Sequence, residues 1–374
     1  MDGKGSPVLT VSDVCRLIET VAPRDTAYAW DNVGLQLGVP GAPVTRALLA
    51  LDLTPAVAEE AAALGAELII AHHPLLFKPR GSLAETDPQA RLIANLIRRN
   101  IAVYVAHTNL DVAPEIGVNA TLARVLGLTG CKPLLPLDSE LMAKLVTFVP
   151  EGAVATVRAA LAQAGAGVIG DYAECSFALR GEGTFRGGEG TRPVVGEAGR
   201  FETAAEVRLE MVLPRRCQGR VVAALLETHP YEEPAFDVYP LLNNPRGLGL
   251  GLVGKLAEPV EFEHFCAMVR VRLAAPGMRV VAGKGGLVRR VAVLGGGGGG
   301  EVKAAADAGA DVYVTGDVKH HDGLLAQELG LAVLDAGHYA TERPGLDSLA
   351  EYLRAKTTVE VHVTGLATDP FASI

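Results

Sequence analysis

Histidines and carboxylates fall in groups along this 374-residue chain rather than singly. Three groups stand out: Ala71-His72-His73-Pro74, His107-Thr108-Asn109-Leu110-Asp111 and Gly337-His338-Tyr339-Ala340-Thr341-Glu342. Imidazole together with carboxylate suits zinc, iron, manganese or nickel better than calcium. Two adjacent histidines can point apart and serve two ions, or one can ligate while the other supports it. His338 and Glu342 are four apart and share a face if the segment is helical; a carboxylate there can bridge two ions. Each group alone also has a plain structural reading. The first is then a polar loop, the second an Asx-type turn, and the third a helix start capped by Thr341. Three such groups together point to a metal site. Two stretches join them as candidates. In Thr315-Gly316-Asp317-Val318-Lys319-His320-His321-Asp322, either His321 or Asp317 can orient water or steady a ligand from behind. Trp30-Asp31-Asn32-Val33-Gly34 holds the only tryptophan and either lines the cleft or forms a packed turn leading into a strand.

These groups need a frame, and the hydropathy pattern supplies one. Residues 46–52, 67–71 and 101–106 are short apolar runs that read as buried strands, with helical patterns over 55–64 and 87–99 between them. Such β-α-β-α-β alternation predicts a parallel sheet. Ligands of parallel sheets gather outside the carboxyl ends of the strands, where His72, His73 and His107 stand. The grammar returns near the C-terminus, with strands over 288–294, 311–315, 331–335 and 359–363 and helices over 301–308, 322–329 and 344–356. Gly65 to His73 resembles Gly309 to Asp317 at the same place in each unit, so two similar α/β halves are expected.

The region between the halves reads differently. Two blocks of strand, proline and helix recur, one from 145 through 163 and one from 209 through 228, with further strands over 175–180 and 236–241. Two βαβ units in tandem predict a ferredoxin-like α+β sandwich, with the Gly-rich 181–199 as a hairpin or loop. The expected organisation is therefore α/β. One discontinuous domain comprises 1–136 and 246–374, and a ferredoxin-like domain over 137–245 is inserted in it. Asn243-Asn244-Pro245-Arg246-Gly247 has the turn chemistry of a junction.

Composition narrows the function classes. Lys+Arg 34 against Asp+Glu 43 gives a net charge of -9, which disfavours nucleic acid as partner. No apolar run approaches the ~18 residues of a membrane helix. Met1 to Pro7 has no apolar core of a secretory signal. Five cysteines far apart, with no CxxC pair, argue against a disulfide framework and for a reducing cytoplasm. Gly295 to Gly300 fits neither GxGxxG with a downstream ribose acid nor a P-loop, so a plain dinucleotide binder is disfavoured. The run reads as a loop of close approach touching an anionic substrate, or as a mobile linker. His229 and His264 have no clustered partners, and Tyr231, Glu232 and Glu233 read as hinge or rim.

His72-His73-Pro74, the His107 to Asp111 stretch, Thr315-Gly316-Asp317, the Gly337 to Glu342 stretch and Trp30 to Leu35 together resemble the Nif-three-like dinuclear-metal hexameric proteins. Many of these are described as GTP cyclohydrolase I type-two homologues. The inserted segment, with His229-Pro230-Tyr231-Glu232-Glu233-Pro234, is similar to the extra domain of longer bacterial members, which resembles the PII and cation-tolerance proteins. The resemblance implies two divalent ions per subunit. Asp111 would join His73 on one, His338 would join His72 on the other, and Glu342 would bridge them. It places His107 at or next to the centre and implies a toroidal homohexamer with the metal sites facing an internal cavity.

The leading expectation is a metal-dependent hydrolase in which His321 or His107 shuttles a proton. The resemblance implies a guanine nucleotide as substrate, its imidazole ring opened with formate release. A dinuclear phosphoesterase would use the same ions. The alternative from another class is a non-enzymatic, metal-dependent binding or regulatory protein, whose inserted domain senses a small ligand or gates the cavity.

Overall fold

The computed structural model describes residues 8–137, 142–242 and 247–372. Met1 to Pro7 and the expected turn residues Asn243-Asn244-Pro245-Arg246 lie outside them. The chain divides into two compact units, one of Met1–Leu135 with Leu248–Ile374 and one of Pro136–Gly247. In chain order the strands are β1 (Gly34–Leu37), β2 (Arg46–Ala50), β3 (Leu68–Ala71), β4 (Ala102–Val105), β5 (Leu128–Pro136), β6 (Met142–Pro150), β7 (Phe177–Arg186), β8 (Phe201–Pro214), β9 (Phe236–Pro240), β10 (Gly249–Glu261), β11 (Arg279–Val281), β12 (Leu287–Val293), β13 (Val312–Thr315), β14 (Ala332–Asp335) and β15 (Glu360–Val363). The architecture is mixed α/β.

The first unit holds two sheets. One has the order β1-β4-β3-β2-β15 and the other β11-β14-β13-β12-β10-β5. Each is built on three parallel strands, β2-β3-β4 and β12-β13-β14. Alternation along the strands makes three layers. Leu48, Ile69 and Val103 face the helices Pro55–Leu64 and Pro88–Arg98, while Leu49, Ile70 and Tyr104 face Val11–Val21 and His338–Lys356. Burial on both faces is why these strands read as unbroken apolar runs. In the second sheet Val291, Val312 and Leu334 pack on Phe262–Arg272, while Ala292, Tyr313 and Val333 pack on Val302–Asp307 and His320–Leu329. Local signals set the helix ends. Thr54 accepts the Val57 N–H ahead of Pro55, and Asp87 accepts the Ala90 N–H ahead of Pro88.

Several elements depart from the sequence reading. The last long helix begins at His338, not at Pro344, which sits inside it. The proline forfeits one helix bond, and burial of Leu346, Leu349 and Leu353 offsets the loss. β15 does not extend the C-terminal half. It runs parallel beside β2, with Val361 opposite Ala47, and so completes the first sheet. β10 has no counterpart in the sequence reading: its register against β12 shifts between Lys255 and Val260, and that irregularity blurs the period-2 pattern.

The second unit runs β6, helix Val154–Gln163, β7, β8, helix Gln218–Thr228, β9. Its sheet has the order β7-β8-β6-β9 and is antiparallel throughout. Val157, Leu161, Val221 and Leu225 pack against Leu145, Leu209 and Leu213. Gly181 to Arg186, within the stretch that reads as hairpin or loop, are strand residues paired with Phe201 to Glu206.

Candidate metal centre

Within the first unit, the carboxyl ends of the parallel strands converge chemically. Asp52 follows β2, His72 and His73 follow β3, and His107 follows β4. Asp317 follows β13, and His338 follows β14 at the start of its helix. The His338 to Glu342 spacing, now helical, puts both side chains on one face. The His338 Nε2 lies 3.1 Å from Glu342 Oε1 and 3.3 Å from His73 Nε2. The His73 Nε2 lies 3.1 Å from Glu342 Oε2. On the other flank His72 Nε2 is 3.5 Å from Asp111 Oδ1 and 3.7 Å from Glu342 Oε1. Asp111 is thus in contact with His72 and His338 with His73, whereas the resemblance implies Asp111 with His73 and His338 with His72 around the ions. Glu342 reaches both pairs. Ligand atoms of His72, His73 and His107 lie within 4.8 Å of one another, as do those of His73, His338 and Glu342.

Four imidazoles are held in the same way. The His72 Nδ1–H donates to the Ala106 carbonyl at 2.8 Å, since a carbonyl oxygen can only accept. His73 Nδ1 bonds Asp52 at 2.8 Å, His107 Nδ1 bonds Asp31 at 2.9 Å and His338 Nδ1 bonds Asp317 at 2.7 Å. Fixing Nδ1 with an oxygen acceptor leaves Nε2 for a cation, the arrangement typical of metal-ligating histidine. Asp52 is itself held by the Thr368 hydroxyl at 2.6 Å. Glu342 is 3 % exposed and His72 1 %. Among the described residues no hydrogen bond meets the buried His72 Nε2 and Asp111 Oδ1, and Glu342 Oε2 has only the His73 Nε2 beside it. Polar atoms so buried are costly unless something charged meets them, and a divalent cation with nitrogen and oxygen ligands fits this donor set.

The electrostatics agree. Burial opposes protonation of His73, but the Asp52 and Glu342 carboxylates outweigh it and push the imidazole up to about 10. The hydrogen bond to Glu342, opposed by burial and helped by Asp317, pushes His338 up to about 9. Burial works against His72 as well, and Glu342 and Asp111 still raise it. Glu342, although desolvated, is held well below the usual carboxylate range by His72, His338 and His73. Burial raises Asp111. The pocket draws positive charge, whether as protons or as cations.

The glycine run has a reason in this geometry. Gly296 has φ +73°, and a Cβ there would stand 2.2 Å from Glu342 Oε1 and 3.2 Å from His338 Nε2. A Cβ on Gly298 would meet Thr315 Oγ1 at 2.2 Å. The loop is pinned: Asn119 Oδ1 accepts the Gly295 N–H, Thr341 Oγ1 accepts the Gly296 N–H, and the Tyr313 hydroxyl donates to the Gly298 carbonyl. It is a fixed wall of the cluster, which excludes the mobile-linker reading. The N–H groups of Gly295, Gly296 and Gly298 are spent within the protein.

His72, His73, Asp111, His338 and Glu342 are thus brought together, with His107 beside them: its ring centroid is 5.1 Å from that of His72 and 5.6 Å from that of His73. His321 lies in the first turn of the helix His320–Leu329 with its ring against His320. No hydrogen bond, ion pair or ring contact among the described residues ties it to the cluster. Sequence reasoning misses the supporting roles of Asp31 and Asp52. Asp52 has a signal, an acidic residue directly after an apolar strand. Asp31 stands in the Trp30 to Gly34 stretch already singled out, but its bond to His107 has no local signal, since that partner is distant in sequence. In the second unit His229 is buried and satisfied, with Nε2 3.0 Å from the Phe148 carbonyl and Nδ1 accepting the Tyr231 N–H.

The sequence matches the DUF34/NIF3 (NGG1p interacting factor 3) family over residues 9–370. The Halalkalibacterium halodurans protein named GTP cyclohydrolase 1 type 2 homolog is 41 % identical over 365 residues, which is 96 % of this chain and 98 % of that protein. The Bacillus subtilis protein of the same name is 39 % identical, covering 96 % and 97 %. Among solved structures, a Bacillus cereus protein related to NIF3 superposes with a TM-score of 0.68 at 42 % identity, covering 99 % of this chain and 100 % of that one. Staphylococcus aureus protein SA1388 gives 0.72 at 32 %, with the same coverage. With the match running nearly end to end, the chain belongs to the DUF34/NIF3 family.

Proposed function

We propose that this chain is a divalent-metal-dependent hydrolase with a two-ion centre. His72, His73, Asp111, His338 and Glu342 would hold the ions, with Glu342 within reach of both His72 and the His73–His338 pair. The observation that carries the reading is the convergence of the buried His72 Nε2, Asp111 Oδ1 and Glu342 carboxylate in a cluster whose four imidazoles have their Nδ1 atoms already committed. Zinc, iron, manganese and nickel all suit these ligands. When bound, such ions supply Lewis acidity and a water that is nucleophilic at neutral pH. Asp31 fixes His107 through Nδ1, so its Nε2 is the atom that takes up and returns a proton. The names of the relatives support a guanine nucleotide as substrate, with hydrolytic opening of its imidazole ring.

The same reading extends to the assembly and the second unit. We take the protein to be a cytoplasmic, toroidal homohexamer with its centres facing an internal cavity. No helix among the described residues is long and apolar enough to cross a membrane. The βαββαβ order and the β7-β8-β6-β9 arrangement support a ferredoxin-like second unit.

The test is elemental analysis of the purified protein with a turnover screen on GTP and phosphoesters in the same sample, and native mass spectrometry for six copies. The expected result is metal at two per chain, formate release from GTP, and loss of at least about 100-fold in rate for Glu342→Ala with the fold retained. Undiminished activity after metal stripping overturns the proposal. Ligand-induced stabilisation without any product would favour a metal-dependent binding protein instead.

A further inference from the structure

Trp30 is 59 % exposed and Phe77 46 % exposed, yet both belong to a built aromatic group. The Trp30 and Tyr28 rings stack with centroids 5.7 Å apart and planes 11° apart. Phe77 meets Trp30 edge-on at 6.0 Å, and Trp30 meets the His107 imidazole at 6.2 Å. The group therefore adjoins the metal cluster through His107.

Hydrogen bonds from both sides hold the arrangement. The Tyr28 N–H donates to the Thr108 hydroxyl at 3.1 Å, and the carboxylate of Asp31, next to Trp30, accepts from the Thr108 N–H at 3.1 Å. Asn32 donates its side-chain amide to the Leu76 carbonyl, and Gln36 Oε1 accepts the Leu76 N–H at 2.7 Å. The segment carrying Trp30 is thus clamped to the segment that runs from His72-His73 to Phe77. Leaving large aromatic surface in water is unfavourable, and a protein that fixes such surface beside a reactive centre has a stacking platform.

We infer that Trp30, Tyr28 and Phe77 form the subsite for the planar aromatic ring of a small substrate whose polar end reaches the metal cluster. The inference rests on the metal-centre reading above and goes beyond it by assigning ring recognition to residues outside the ligand set. A ring stacked there is held by its face and not by base-edge hydrogen bonds, so the subsite selects for planarity and tolerates different heterocycles.

The single tryptophan makes the platform directly observable. Metal-loaded protein is titrated with GMP, AMP and ribose 5-phosphate while Trp30 emission and heat are recorded. The expected result is quenching by both nucleotides and none by the ribose phosphate, with at least about tenfold weaker nucleotide binding in Trp30→Leu and Phe77→Leu. Trp30→Phe restores most of the affinity, and the metal content stays at the wild-type level in all three variants. Equal binding of nucleotide and ribose phosphate overturns the platform, as does nucleotide affinity unchanged in Trp30→Leu. So does the absence of quenching by either nucleotide. Ring-dependent binding without turnover leaves the platform standing and sinks the hydrolase; turnover with an unaltered KM in Trp30→Leu does the reverse.

Discussion

At the scale of single residues, the centre trades protons for cations. With carboxylates holding His73 up to about 10 and His338 up to about 9, the metal-free cluster holds protons at neutral pH. Ligands must shed those protons before they coordinate. Metal binding is therefore expected to release protons, and the apparent affinity to climb with pH until about 10. Calorimetric titration with zinc in two buffers of different ionisation enthalpy checks this, and heats that do not depend on the buffer would contradict it. The same values fix a sign for stability without metal. Both folded pKa values lie above the ordinary 6.5, so the contribution is fully present below that pH and is lost as pH rises through about 9 to 10. The five ligand-type residues are legible in the sequence because each follows a strand or shares a helix face. How they pair is not, because pairing depends on which rotamers the Nδ1 anchors Ala106, Asp52 and Asp317 select.

At the scale of elements, the parallel strands are the clearest part of the sequence, since burial on both faces leaves an apolar run with little ambiguity. β15 is recognisable as a strand but not by its sheet: nothing in 359–363 records that its neighbour is β2, more than three hundred residues earlier. The start of the helix from His338 is masked in the sequence, where a proline outweighs the turn before it. The glycine run admits two readings in the sequence, and only the geometry separates them. Its positions should differ sharply in tolerance. Gly296→Ala puts a methyl into Glu342 at a positive φ, so it is expected to lose most bound metal and to lower the Tm. A methyl on Gly300 would meet nothing within 4 Å, so Gly300→Ala should stay within about 0.5 kcal/mol of wild type and keep its metal. Metal stoichiometry and thermal melts of the two variants decide the matter: equal behaviour would mean that the loop does not wall the cluster.

At the scale of the whole molecule, the two compact units have separate cores. The ligand-type residues His72, His73, Asp111, His338 and Glu342 all belong to the first, whereas the second packs around Leu145, Leu161, Leu209 and Leu225. A cation that binds only the folded first unit stabilises that unit by mass action, by about 2.7 kcal/mol per ion at a free concentration 100 times Kd. For a unit of this size, that shifts the Tm by roughly 5 °C per ion. Scanning calorimetry of the intact chain should accordingly show two transitions. Chelation is expected to lower the one belonging to the first unit and leave the other in place, and restored metal to bring the first back. Limited proteolysis during the melt identifies which unit opens at each step. If chelation moves both transitions together, the metal centre is coupled to the folding of the entire chain; if it moves neither, the buried carboxylates and imidazoles hold the first unit together without a cation, and the case for a resident metal fails.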